Sequence, residues 1–261
     1  MNIDVYKLDG SSGGSLALPA VFSTAFRSDL VRRAILSEQS ASYQHQGHSE
    51  VAGMQTTAVY VGKYSGYRHG RHMGIAIRPR QKLGGGAMGD VRRIPSSVKG
   101  RRAHPHKAFK IIQERMNSAE RLAAIRSAIG GCINPVHKGQ AGQSKPFPIV
   151  VENSIESLLR SKELVKLLSA LGFSGELEGS HRPRLSHNSR RSSKRHFRRS
   201  LLIIVSDDAK IGRAGRNIPG VEILNIKRLS AESLAPGCVP RISIWSRSAV
   251  EGIEEALLAY R

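Results

Sequence analysis

Cysteine is almost missing from this chain of 261 residues: Cys132 and Cys238 stand alone and far apart. Two distant thiols argue against a disulfide framework and against a cysteine-built zinc site, and they suit a reducing compartment. Long apolar runs are missing as well, and none approaches the roughly 20 residues a membrane-spanning helix needs. The opening residues, MNIDVYKLDG, lack the positive-then-apolar layout of a secretory signal. The expectation is a soluble, cytoplasmic protein with no membrane partner. Acid is the third scarcity: 20 Asp and Glu face 41 Lys and Arg, a net charge of +21.

That charge is unevenly placed. Residues 44–108 hold twelve bases, eleven glycines and only two acids, Glu50 and Asp90. The bases are Lys63, Arg68, Arg71, Arg78, Arg80, Lys82, Arg92, Arg93, Lys99, Arg101, Arg102 and Lys107. A second run, 181–199, adds eight more with no acid. The remaining 177 residues carry a net +3, the balance of an ordinary globular body with room for one sizeable core. A segment as poor in apolar pattern as 44–108 cannot offset its ordering entropy by burying itself. Its order is expected to come from a polyanion outside the chain.

Hydrophobic periodicity places the elements. Residues 3–8 alternate, a Gly/Ser-rich turn follows, and 16–18 return as a β-hairpin. Ser28 is set to cap a helix to about Tyr43, with Leu30, Ala34 and Ile35 on one face. Beyond the basic stretch the pattern predicts a short helix over 107–116, then one opened by Asn117 with Glu120 three residues on. From Pro146, strands and helices alternate. A strand over 147–151 leads to a helix opened by Asn153 and Glu156, burying Leu158, Leu159, Val165, Leu168 and Leu171 and stopping at Gly172. Strands over 201–205, 221–226 and 241–245 follow, separated by a short helix with Arg213 and Arg216 and a helical turn over 230–234. Ser246 is placed to cap a last helix to Leu258.

Strands apolar throughout and alternating with helices predict an α/β fold, an open, mainly parallel sheet with helices on both faces. The expected layout is 1–43 as the first part of the body, 44–108 as a long extended basic arm inserted after the first helix, and 109–261 as the rest. The run at 181–199 is then a basic loop of the body. Fully extended, about 32 residues out and 32 back reach at most roughly 100 Å. No internal repeat is visible.

Signals for catalysis are weak. Gly84-Gly85-Gly86 lies inside the basic stretch, not between a strand and a helix. Gly212-Arg213-Ala214-Gly215 follows a strand but lacks the dinucleotide fingerprint and its ribose-binding acid. His45 with His48, and His69 with His72, have metal-ligand spacing but no third ligand nearby. Asp207 and Asp208 have no nucleophile or base beside them and suit a helix N-terminus. The reading therefore assigns no catalytic residue, metal or cofactor, and the protein is expected not to be an enzyme. An RNA-processing enzyme with a site at the sheet's carboxyl edge, and a free-standing RNA-binding regulator, are the alternatives.

Nucleic acid fits better. Tyr60, Tyr64 and Tyr67 interleave with Lys63 and Arg68, so bases can stack beside neutralised phosphates, while the glycines let backbone approach closely. No homeodomain, zinc-finger or heptad pattern addresses a DNA groove, and folded RNA suits a threading arm. By charge, Lys63, Arg68, Arg71, Arg78, Arg80 and Lys82 of the arm, and Arg190, Arg191, Lys194, Arg195 and Arg198 of the loop, are the expected RNA ligands.

Several segments in order resemble one family. They are residues 21–34 (VFSTAFRSDLVRRA), 92–105 (RRIPSSVKGRRAHP), 216–222 (RNIPGVE), 234–237 (LAPG) and 242–245 (ISIW). The chain is similar to the universal L-four family of large-subunit ribosomal proteins, in its archaeal and eukaryotic form. The resemblance implies a structural constituent of the large ribosomal subunit, partnered by its ribosomal RNA and by other subunit proteins. It implies an arm reaching the wall of the peptide exit tunnel, with a tip around 62–74. There Tyr67, Arg68, His69, Arg71 and His72 would lie near the nascent polypeptide. Arg92, Arg93, Lys99, Arg101, Arg102 and His104 would hold the returning strand against RNA. One departure stands out: residues 186–193 contain no glycine, where the family often has a glycine-rich basic pattern.

Overall fold

A computed structural model of the chain describes residues 1–60, 62, 74–135, 145–181, 184–185, 195–207 and 210–258. They form two compact units, one of Met1–Ala41 with Glu114–Arg261 and one of Ser42–Gln113. In chain order the elements begin with β1 (Asn2–Tyr6), β2 (Ser12–Ala17) and α1 (Ser28–Ser42). The second unit contributes β3 (Arg80–Lys82) and β4 (Met88–Val91). Then come α2 (Ser118–Gly131), β5 (Ile149–Val151), α3 (Ser161–Ala170), α4 (Ser174–His181), β6 (Arg184–Leu185) and β7 (Arg195–His196). The chain closes with β8 (Leu201–Val205), α5 (Ile211–Gly215), β9 (Val221–Asn225), α6 (Ala231–Leu234), β10 (Ile242–Ser246), α7 (Arg247–Glu251) and α8 (Ile253–Leu258).

The first unit is the expected α/β body. Its six-stranded sheet runs in the order β2-β1-β5-β10-β8-β9, antiparallel only between β1 and β2 and parallel elsewhere. Every residue of β5, β8 and β10 is buried, which explains why their sequences are apolar almost throughout rather than alternating. Side chains still alternate between faces. Val150, Leu202, Ile204 and Trp245 meet α1, α2 and the carboxyl-terminal helices. Ile149, Leu201, Ile203 and Ile244 meet α3, α4 and α5. Trp245 packs edge-on against Phe22, centroids 5.1 Å apart, and its buried Nε1–H donates to Ser243 Oγ at 2.9 Å, so no donor is stranded.

Several local expectations differ from the structure, and at the start of α3 a tertiary contact outcompetes a local one. Asn153–Ser157 is a single 3-10 turn, and the helix begins only at Ser161. Asn153 Oδ1 accepts from the Ser248 amide at 2.8 Å, and Glu156 is likewise bonded elsewhere, so neither starts a helix of its own. The shifted start leaves Leu159 57% and Val165 37% exposed, while Leu164 and Leu167 are buried instead. The helix at Asn117 opens where expected, with Asn117 at its N-cap and Glu120 in its first turn, but the Asn117 side chain makes no cap bond, and Glu120 pairs with Arg33 at 2.9 Å. Residues 107–116 form no helix; Phe109 and Ile111 are exposed and offer no apolar face to pack. Gly252 divides the last helix into α7 and α8. No pattern pointed to α4.

The second unit has hydrogen bonds but no core. β3 and β4 pair with a register shift, Val59 and Arg80 form an isolated bridge, and the His48 amide donates to the His106 carbonyl at 2.9 Å. Ala58 is the one buried apolar side chain among the unit's described residues, while Tyr60, Leu83, Val98 and Ile111 are exposed. Contrary to a segment without elements, it holds a short hairpin. In keeping with its composition, it buries almost nothing.

Candidate nucleic-acid interface

The best-built part of the basic unit is the turn after β4. Arg92 donates from Nη1 to the Val98 carbonyl at 2.6 Å and from Nη2 to Asp90 at 3.3 Å. Arg93 reaches the Ala58 carbonyl at 3.3 Å. Ser97 Oγ donates to the Ile94 carbonyl at 3.0 Å, and the Gly100 amide donates to the Ser97 carbonyl at 3.0 Å. Arg93 and Lys99 adopt left-handed backbone, φ +69° and +57°, a conformation that costs non-glycine residues about 1 kcal/mol or more. Gly53, at φ +76°, crosses the turn so closely that a Cβ there would lie 2.5 Å from the Gly100 backbone. Only glycine fits that crossing.

The outcome is a shaped basic surface. Lys99, Arg101, Arg102 and His104 are exposed on the turn and the segment leaving it, as is Arg93, which also reaches the Ala58 carbonyl; Arg92 is half-buried and bonds within the turn. Arg78 and Lys82 are also exposed; Arg80 is half-buried, with its Nε buried and unpartnered among the described residues. Arg92–Asp90 is the one ion pair among the unit's described residues, so its other described bases have no intramolecular acid. Unopposed, clustered cations on a coreless scaffold leave their field for an external anion.

The remaining assigned residues divide. Lys63, Arg68 and Arg71, the tip residues Tyr67, His69 and His72, and Arg190, Arg191 and Lys194 lie outside the described residues. Arg195 stands in β7, opposite Leu185. Arg198 is exposed, 3.9 Å from Glu176.

At the carboxyl edge of the sheet, where open α/β proteins place ligands, the polar groups consume one another. Glu156 Oε1 accepts from the Ser206 amide at 2.9 Å, Ser246 Oγ at 2.7 Å and Ser248 Oγ at 2.6 Å. Asn225 Nδ2 donates to the Ser206 carbonyl at 2.7 Å. These bonds tie the ends of β8, β9 and β10 to the start of α7, a structural pin in place of a reactive group. Asp207 is exposed, and Asp208 lies outside the described residues.

The opposite, amino edge holds the features that sequence reading missed. A cavity of about 450 Å³ is lined by Arg198, Arg199 and Arg241. Arg241 is only 6% exposed and pairs with Glu222 at 2.5 Å, yet its Nε and Nη1 are buried without an acceptor among the described residues. Burial, with Arg199 adding repulsion against Glu222's attraction, pushes the Arg241 pKa down. A usable signal was present: an arginine opening an otherwise apolar strand must find a partner when buried.

An α/β body whose carboxyl edge is tied by its own side chains, carrying a cationic unit with almost no core, is the build of a structural protein. Residues 16–256 match the model of the Ribosomal protein L4/L1 family, and the chain belongs to that family. It is 35% identical to the large ribosomal subunit protein uL4 of Methanocaldococcus jannaschii, over 98% of this chain and 99% of that protein. To the protein of the same name from Methanococcus vannielii it is 36% identical, over 98% and 99%. To that of Halorubrum lacusprofundi it is 35% identical, over 98% and 100%. Membership gives the chain a non-catalytic place in the ribosome, a cytoplasmic complex. No helix among the described residues is long and apolar enough to cross a membrane.

Proposed function

We propose that this chain is a constituent of the large ribosomal subunit that binds and threads its ribosomal RNA, with other subunit proteins as neighbours. One observation carries the reading: unit Ser42–Gln113 gathers exposed cations around one buried apolar side chain. Cations so placed repel one another unless phosphates stand between them, and arginine forks bridge phosphates well. The body adds Arg198 and the basic loop 181–199 as a second contact. The segment 62–74, with Tyr67, Arg68, His69, Arg71 and His72, contributes to the exit-tunnel wall and meets the nascent polypeptide.

Binding of the full chain to large-subunit RNA is expected to fall steeply with salt. For duplex DNA, 6–10 phosphate contacts lose roughly 10³–10⁵ in affinity between 50 and 200 mM. A shallow salt dependence, or sedimentation of the protein apart from large subunits in lysate, would refute the assignment. For the tunnel, a photoreactive residue at position 69 should crosslink to a stalled nascent chain. Crosslinks to RNA alone would remove that part.

A further inference from the structure

Beside the arginine-lined cavity lies a second one of about 450 Å³, and the two share Val239 and Pro240 as a common wall. Their linings differ in kind. The second is mainly apolar, lined by Phe22, Phe26, Ile133 and Cys238, with Thr24 and Asn134 adding polar atoms. Glycine keeps it open: a Cβ on Gly131 would stand 2.7 Å from the Phe26 ring and 2.8 Å from Pro240. Each chamber lies in the volume range of small-ligand sites. The first is walled by Phe197, half exposed, and by the arginines that end the basic run 181–199.

The arginines are incompletely satisfied. Arg198 and Arg199 face Glu176 and Glu232 at 3.9 and 3.7 Å, long and exposed contacts of the kind that contribute little. Arg241 has a short bond to Glu222 but two buried donor nitrogens, Nε and Nη1, without an acceptor among the described residues, an expensive state that native proteins rarely keep without a reason. An anion between Arg199 and Arg241 supplies acceptors and separates two like charges. One molecule spanning both chambers therefore carries a negative group at one end and a flat or apolar group at the other. An unstacked nucleotide has that form, and aromatic and guanidinium surfaces are what proteins use to hold one.

We propose that the paired chambers at the amino edge of the sheet hold one unstacked nucleotide of RNA, its base beside Phe26 and its phosphate on Arg199 and Arg241. The assignment rests on the RNA-binding reading above but names a specific site on the body, apart from the basic unit. Ultraviolet crosslinking of native large subunits, read by mass spectrometry, should place a nucleotide adduct on Cys238 or Phe26. In parallel, the full chain is titrated with large-subunit RNA. Val239→Trp, on the exposed shared wall, should fill the chambers and weaken binding about tenfold or more, the size of one lost stacked base. Arg199→Gln should lower the salt slope by about one. Urea midpoints of both variants should match the parent. If the parent fails to bind RNA, the general reading falls. If it binds, yet no adduct forms and both variants bind like the parent, only this site falls. A peptide of another subunit protein crosslinked to Cys238 overturns it too.

Discussion

Arg92 and Arg101 lie nine positions apart in the same basic stretch, yet their surroundings give them opposite duties. Replacing each in turn by glutamine separates a tie from a ligand. The Arg92 side chain is 17% exposed and bonded to Asp90 and the Val98 carbonyl. Its substitution removes a charged hydrogen bond worth about 1.5–3 kcal/mol, which loosens the turn before any RNA is met. Against that, Arg101 is exposed and makes no intramolecular hydrogen bond or ion pair among the described residues. Its substitution should leave the free protein unchanged and delete one phosphate contact.

Two measurements resolve the pair. In titrations of large-subunit RNA over a salt series, Arg101→Gln should reduce the slope of log affinity against log salt by about one. Arg92→Gln should weaken binding at every salt concentration while keeping the parent slope. Hydrogen exchange of the free protein should show the reverse, with faster amides at Ser97 and Gly100 in Arg92→Gln only, since those amides donate within the turn. Equal slope losses in the two variants, with unchanged exchange in both, would show that Arg92 faces RNA and that the intramolecular geometry is not what holds the turn.

Other perturbations follow from the same contacts. Gly53→Ala forces a Cβ to within 2.5 Å of the Gly100 backbone at a left-handed φ, so limited proteolysis should cut the 91–101 segment faster while the body stays resistant. Glu156→Ala removes the acceptor of the Ser206 amide and of the Ser246 and Ser248 hydroxyls. The two hydroxyls, 3.0 Å apart, can satisfy only one of themselves by pairing with each other. At about 1–3 kcal/mol for each unmet group, partly relieved by water, the body should lose about 2 kcal/mol in urea unfolding, and an unchanged midpoint would refute the pin. Burial pushes the Cys132 thiol up to about 11, leaving on the order of one part in a thousand as thiolate at pH 8. Cys238 is partly exposed, so native protein should show one fast thiol with a disulfide reagent and a second only on unfolding.

What the sequence discloses depends on how local its cause is. The strands β5, β8 and β10 are readable because burial on both faces writes itself as an unbroken apolar run, and the β1–β2 hairpin because alternation writes itself too. Composition likewise reveals the basic unit, since charge needs no geometry to be counted. The start of α3 is not readable: Asn153 and Glu156 have the spacing of a helix opening, but Ser248, Ser246 and Ser206, some 50 to 95 residues away in sequence, take their hydrogen-bonding groups. The division of labour among the arginines is hidden for the same reason. Arg92, Arg93, Arg101 and Arg102 look alike as letters, and only the fold decides which carbonyls stand within reach of the first two. Arg241 is the extreme case. It reads as the first residue of a strand, and its meaning arises where β9 brings Glu222 opposite while nothing among the described residues meets its other N–H groups. Abundance of charge shows that a polyanion would suit the chain, but two unmet donors on Arg241, visible only in three dimensions, are what the proposed phosphate would answer.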